Sequence, residues 1–126
     1  MSDFYCEEVL SGRRAVDVVH ETGSVLAYHH TRPFFADAHV VVVPKVHVAS
    51  LLDPAAEPLL PELLAVVRTV AEQVLAAHGA ARVLTNLGRY QDSKHLHWHV
   101  CAGLEVTGRV DRPPGPSSRR IICQPS

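Results

Sequence analysis

Apolar residues recur along this chain with two different periods. Val16 to Val19 and Val25 to Tyr28 read as short strands on either side of the turn Glu21-Thr22-Gly23-Ser24. His39 to Val43, nearly all valine, reads as a third strand. Asp53-Pro54 opens a turn whose continuation Pro58 and Pro61 interrupt. The period then lengthens. Leu60, Leu63, Leu64, Val67, Val70, Ala71, Val74 and Leu75 repeat at three and four, which predicts one long helix to about His78 with a broad apolar face. Gly79 suits its C-terminal cap. Ala81 to Leu87 and Lys94 to Ala102 complete five strands. At the start of the chain, Asp3 can cap a short helix from Phe4 to Leu10 that Gly12 stops. The pattern predicts an α+β fold: a five-stranded antiparallel sheet with one long and one short helix. The long helix covers one face, and the other is left free for a site.

Within the last of these strands, His95, His97 and His99 alternate with Leu96, Trp98 and Val100. Successive side chains of a strand point to opposite faces, so the imidazoles share one face and the apolar residues the other. Trp98 therefore belongs to the core. A merely solvated face has no physical reason to choose imidazole three times over Lys, Glu or Thr, whereas a site handling protons, phosphates or metals does. Two chemistries compete for the row. His95 and His99 lie about 13 Å apart at Cα on an ideal strand, so one zinc ion could use an adjacent pair but not all three. Phosphoryl or nucleotidyl transfer uses the row more completely. Neutral imidazole is largely free base at pH 7, with an unperturbed pKa of about 6.5, and serves as nucleophile without a separate activating base. Phosphate transfer is the preferred reading.

Composition narrows the partners. The 126 residues suffice for one core without staples. A net charge of −1 gives no electrostatic footprint for duplex nucleic acid. No apolar run approaches a membrane span, and Met1-Ser2-Asp3 opens no basic secretory leader. Cys6, Cys101 and Cys123 are odd in number and scattered, which argues against a disulfide framework. A cytoplasmic protein with no membrane partner is expected. After residue 107 the character changes: Pro113, Pro114 and Pro116 alternate with Gly108, Gly115 and four arginines, which reads as an extended or mobile tail. The chain thus divides into a domain over residues 1–107 and a Pro/Arg-rich tail over 108–126. Ile121-Ile122-Cys123 returns to apolar residues, so the tail's end can dock on this subunit or a neighbour.

His-Leu-His-Trp-His-Val-Cys resembles the histidine-triad (HIT) pattern, histidine alternating with apolar residues. Val40 to His47 resembles that family's strand ending in Pro-Lys-x-His. Thr85-Asn86-Leu87-Gly88 and Gln91-Asp92-Ser93-Lys94 resemble its segments before the triad. The resemblance covers about residues 3 to 104 and points to the nucleotide hydrolase and transferase branch. It implies roles by position. His97 would attack the α-phosphorus and form a nucleotidyl-histidine. His99 would contact the phosphate and help the leaving group depart, with His95 and His47 supporting and orienting the nucleophile. Asn86, Gln91 and Ser93 would contact substrate, with Tyr28, Phe4 and Tyr5 as walls around the base. His30 is a further candidate for substrate contact, although it, His29 and His39 have weaker claims, and His20 and His78 read as surface residues. The implied activity is hydrolysis or transfer at the α-phosphate of a small nucleoside phosphate derivative, such as an adenosine phosphoramidate, by a homodimer without a cofactor. The alternative is a nucleotide-binding or regulatory protein of the same fold with weak turnover.

Three departures from the family pattern support that alternative or alter the site. His30 stands where an Asp usually accepts ribose hydroxyls, and it cannot offer two carboxylate oxygens. Asp92 replaces a loop Ser or Thr and would repel a phosphate it faced. Many bacterial relatives carry a Cys-x-x-Cys zinc pair near the first helix, where this chain has Asp3 and Cys6. Asp3, Cys6, His47 and His95 could form a four-ligand zinc site in principle, but no metal is expected in the chemistry.

Overall fold

A computed structural model describes residues 3–121. Six strands form one antiparallel sheet: β1 (Val16–Glu21), β2 (Val25–His29), β3 (Ala38–Pro44), β4 (Arg82–Thr85), β5 (Trp98–Ala102) and β6 (Ser118–Arg119). Their spatial order is β4-β5-β3-β2-β1-β6, with every neighbouring pair antiparallel. Five of them are the expected strands. The sixth comes from the tail and extends the sheet beyond β1.

Helix α1 (Leu60–His78) crosses one face. Leu63, Val66, Val67, Val70 and Val74 form its buried stripe and meet Val40, Val42, Trp98 and Val100 from the sheet and Leu96 just before it. Trp98 is therefore core, as alternation requires. Truncating such a fully buried leucine as Leu63 to Ala costs about 2–5 kcal/mol. Leu64 and Leu75, expected on the same face, are 44% and 53% exposed. One residue rotates a helix by about 100°, so Leu64 falls on the flank of the stripe and Val66 takes its place. Gly79 closes α1 in the left-handed region (φ 77°), its N–H bonded to Leu75 O at 2.8 Å. No helix among the described residues is long and apolar enough to cross a membrane.

The opposite face is covered, not free. A one-turn π-type helix, Tyr5–Val9, lies against it, capped by Asp3, whose Oδ1 accepts the Cys6 N–H at 3.1 Å. Tyr5, Val9 and Leu10 pack with Val16, Leu26, Tyr28, Val41 and Val43. β3 is almost pure valine because Val40 and Val42 face the helix while Val41 and Val43 face this second cluster. Ile121 completes the cluster, so the tail docks on its own subunit; Ile122 and Cys123 lie outside the described residues.

The tail is extended but tied down. Val106 N–H bonds Phe34 O at 2.8 Å and Arg112 N–H bonds Thr31 O at 2.7 Å. The Arg112 guanidinium and the Ser117 N–H both bond the buried Asp17 carboxylate. A Cβ at Gly115 would run into that carboxylate, so the close approach requires glycine. The segment from Val106 to Ile121 thereby runs past the β2–β3 connection and walls one side of the site.

Candidate active site

β5 begins at Trp98, so His99 alone of the triad lies on the strand, with His95 and His97 in the extended approach to it. The alternation survives this shift. Leu96 faces the helix core and its N–H bonds Val48 O at 2.7 Å, while all three histidines are buried on the other side.

The hydrogen bonds fix the tautomers of the two triad rings that face the cavity. His97 Nδ1 lies 2.6 Å from the carbonyl of His95. A carbonyl only accepts, so Nδ1 carries the proton and Nε2 of the neutral ring keeps its lone pair. Burial pulls the His97 pKa below its ordinary value, which favours that neutral form. For His99 the tautomer follows from a chain. The Phe34 N–H donates to His39 Nδ1 at 2.9 Å, so His39 carries its proton on Nε2. That N–H donates to His99 Nδ1 at 2.8 Å, leaving His99 with an Nε2–H. Burial, then the neighbouring His97 and His30, lower the His99 pKa to about 3. The His97 and His99 rings stand 5.0 Å apart and nearly perpendicular. One offers a lone pair and the other a proton donor.

Both rings line a cavity of about 480 Å³. Phe4, Tyr5, Tyr28, His30 and Ser93, expected to contact substrate, line it as well. The buried Ser93 hydroxyl has no hydrogen-bond partner among the described residues. Asp92 is exposed at the cavity wall, and Ser93 takes the inward place in the loop. Two expected contacts lie elsewhere. Gln91 is buried and spends its amide N–H on Ala49 O at 2.7 Å, while Asn86, just past β4, is not among the lining residues.

His95 and His47 also lie outside the cavity. His95 supports His97 through its backbone carbonyl, not its ring. The His95 ring donates from Nε2 to Pro44 O at 2.8 Å, which leaves Nδ1 bare in the neutral form. That nitrogen faces Asp3 Oδ2 at 3.1 Å and Cys6 Sγ at 3.3 Å, and His47 Nδ1 joins them 2.5 Å from Asp3 Oδ2. All four potential ligand atoms fall within 4.8 Å of one another. A bare nitrogen facing a carboxylate oxygen is unfavourable unless a proton or a cation lies between them. Two nitrogens, one carboxylate oxygen and one sulfur are a donor set that suits tetrahedral zinc. Burial pushes the Asp3 carboxyl up, but the Cys6 amide, His95 and the Cys6 thiol together hold it below its ordinary value.

Arg14, Arg32, Phe34 and Arg109, which no sequence pattern marks, also line the cavity, and His39, only weakly marked, lies beside it on His99. For His39 a signal existed. It alternates with Val41 and Val43 along β3, and Val41 pairs directly with His99. For the tail arginine there was none, because its place depends on where the tail crosses the domain.

An antiparallel sheet with a long helix on one face and a buried histidine row beside a cavity on the other is the architecture of a histidine-triad protein. The HIT domain model matches residues 12–106, and the chain belongs to that family. It is 34% identical over 102 residues to an uncharacterized HIT-like protein of Synechococcus elongatus, covering 79% of this chain and 85% of that one. Among solved structures, a HIT family hydrolase from Legionella pneumophila is 26% identical with a TM-score of 0.69, covering 90% of this chain and 100% of that one. A hypothetical histidine triad nucleotide-binding protein from Sulfolobus tokodaii is 27% identical with a TM-score of 0.69, covering 92% and 79%.

Proposed function

We propose that the protein hydrolyses, or transfers from, the α-phosphate of a small nucleoside phosphate derivative, such as an adenosine phosphoramidate, through a nucleotidyl intermediate on His97. The observation that carries this reading is the pair of opposed tautomers on one cavity: a bare Nε2 on His97 beside an Nε2–H on His99. The nucleotide-binding and hydrolase descriptions of the similar structures agree with it.

In the first step the His97 Nε2 lone pair forms a bond to phosphorus and the bond to the leaving group breaks. The His97 ring becomes cationic, and its Nδ1–H bond to the His95 carbonyl stabilises that charge. The leaving group departs against the His99 Nε2–H, which donates a hydrogen bond to it and is itself held in place by the His39 N–H on Nδ1; the proton that the leaving group takes up comes from solvent. In the second step water attacks phosphorus as the bond to His97 Nε2 breaks, giving up a proton to solvent; the nucleoside monophosphate leaves and His97 returns to its neutral Nδ1–H form. The Ser93 hydroxyl serves the phosphate oxygens. Zinc held by Asp3, Cys6, His47 and His95 would supply structural support, tying the N-terminal turn to the loop that carries His97.

Steady release of AMP from an adenosine phosphoramidate, with a nucleotidyl adduct trapped by rapid quench, is the expected result. Tight AMP binding without turnover would instead favour the regulatory alternative, to which Asp92 at the cavity wall lends support.

A further inference from the structure

The cavity carries more positive charge than the chemistry above requires. Its histidines supply none at neutral pH. His99 is neutral, burial leads the causes that lower the His30 pKa to about 4, and the reacting phosphate is met by the neutral donors of His99 and Ser93. Arg14, Arg32 and Arg109 nevertheless line the same space. Arg32 pairs with Asp111 at 3.4 Å. Among the described residues, neither Arg14 nor Arg109 has a carboxylate within ion-pair distance, and Asp92 is the one other acid in the lining.

Arg109 is positioned, not loose. Its Nε and Nη2 donate to Arg32 O at 3.0 and 2.6 Å, and its guanidinium carbon sits 3.5 Å from the centre of the Phe34 ring. Stacking and a backbone anchor leave the remaining N–H groups for a ligand. His30 is ordered too. It accepts the Arg32 N–H at Nδ1 (3.0 Å), so its proton lies on Nε2, and its ring stacks on His39. Both Arg14 and Arg109 lie near enough for their charges to act on it. The His30 ring centre is 6.4 Å from that of His99. Donors and uncompensated charge thus lie together around His30 in the same cavity. Arg109 also lies beyond residues 12–106, the span that matches the family model.

We propose that Arg109, Arg14 and the Nε2–H of His30 form a subsite for a second anionic group on the substrate: a phosphate ester on the ribose of a nucleotide whose 5′-phosphorus faces His97. The proposal rests on the nucleotide reading above. A ribose phosphate presents acceptors to these donors and neutralises the guanidinium charge, which an unmodified sugar cannot do.

Calorimetric titration of the full chain with AMP, adenosine 3′,5′-bisphosphate and adenosine 2′,5′-bisphosphate tests it. One bisphosphate should bind at least about tenfold more tightly than AMP, the worth of a single charge-assisted hydrogen bond. The preference should shrink in Arg109→Gln, shrink again as salt is raised, and reverse in His30→Asp. Bisphosphates binding no better than AMP would overturn the subsite while leaving the nucleotide reading standing. A preference undiminished in both Arg109→Gln and Arg14→Gln would overturn the assignment of residues. If no nucleotide binds at all, the nucleotide reading itself falls and the subsite with it.

Discussion

His39 Nε2 donates to His99 Nδ1 across 2.8 Å, joining two rings that are 60 residues apart in the chain. The Phe34 amide on the far side of His39 sets the direction of that bond, and the bond decides which nitrogen of His99 faces the cavity. His39→Phe should lower turnover by about ten- to a hundredfold, the range for a hydrogen-bond partner that orients a functional histidine. The loss should be larger for poor leaving groups than for good ones. His39→Gln, whose amide can still donate to His99, should recover part of the rate. Equal loss in both variants, with no dependence on the leaving group, would reduce His39 to a packing residue.

Replacing His97 with Ala should remove nearly all turnover and leave nucleotide affinity largely intact, because binding rests on the cavity walls and not on the nucleophile. Mass spectrometry of the quenched wild type should place the adduct on His97. An adduct on His95, His99 or His47, or full activity in the His97 variant, removes the proposed nucleophile.

Thorough chelation should leave turnover in place at room temperature, since the lone pair and the donor both belong to imidazoles facing the cavity. Returning zinc should raise the thermal midpoint, because the Asp3, Cys6, His47 and His95 cluster exists only in the folded chain. Asp3→Ala should abolish that rise. Activity lost on chelation and restored by zinc would put the metal in the chemistry.

Stability should fall as pH drops below the unfolded histidine pKa of about 6.5. His39 and His99, 3% and 4% exposed, have folded pKa values depressed to about 2 and about 3, burial being the largest cause. The unfolded chain therefore binds more protons than the native one between pH 6.5 and 3. The stabilisation is fully present above this window and is lost through it, at a limiting slope of about 1.4 kcal/mol per pH unit for each ring. Thermal midpoints measured from pH 7.5 downwards should decline from about pH 6.5, near the unfolded value, and less steeply in His39→Gln. A flat profile down to pH 4 contradicts the burial argument.

A homodimer is expected in solution. Leu64 and Leu75 are exposed about three turns apart along α1, and Val83 and Leu87 are exposed at and just beyond the edge strand β4. Surface of this kind in so small a domain favours a covered interface. Light scattering at micromolar concentration should give twice the chain mass of 13.8 kDa; the monomer mass alone would refute the expectation.

Much of this molecule is legible in local sequence. Strand alternation put the triad opposite Trp98, a three-four repeat located α1, and Gly79 marked its end, because each of these depends on residues a few positions apart and on fixed backbone geometry. The motif around His95 to Cys101 was enough to suggest the family. Local pattern reached its limit where several rotations or crossings were equally allowed. It counted Leu64 and Leu75 into the helix stripe where packing chose Val66, and it began the last strand at Lys94 where pairing with β3 and β4 begins at Trp98. Long-range register alone brought His39 to His99. The tertiary crossing of the N-terminal turn brought Asp3 and Cys6 to His47 and His95, and the tail's path brought Arg109 to Phe34. Those contacts join segments whose separation in the chain is unrelated to their separation in space. A hydrogen bond that sets a tautomer requires atoms within about 3 Å, and only the folded chain decides which atoms those are.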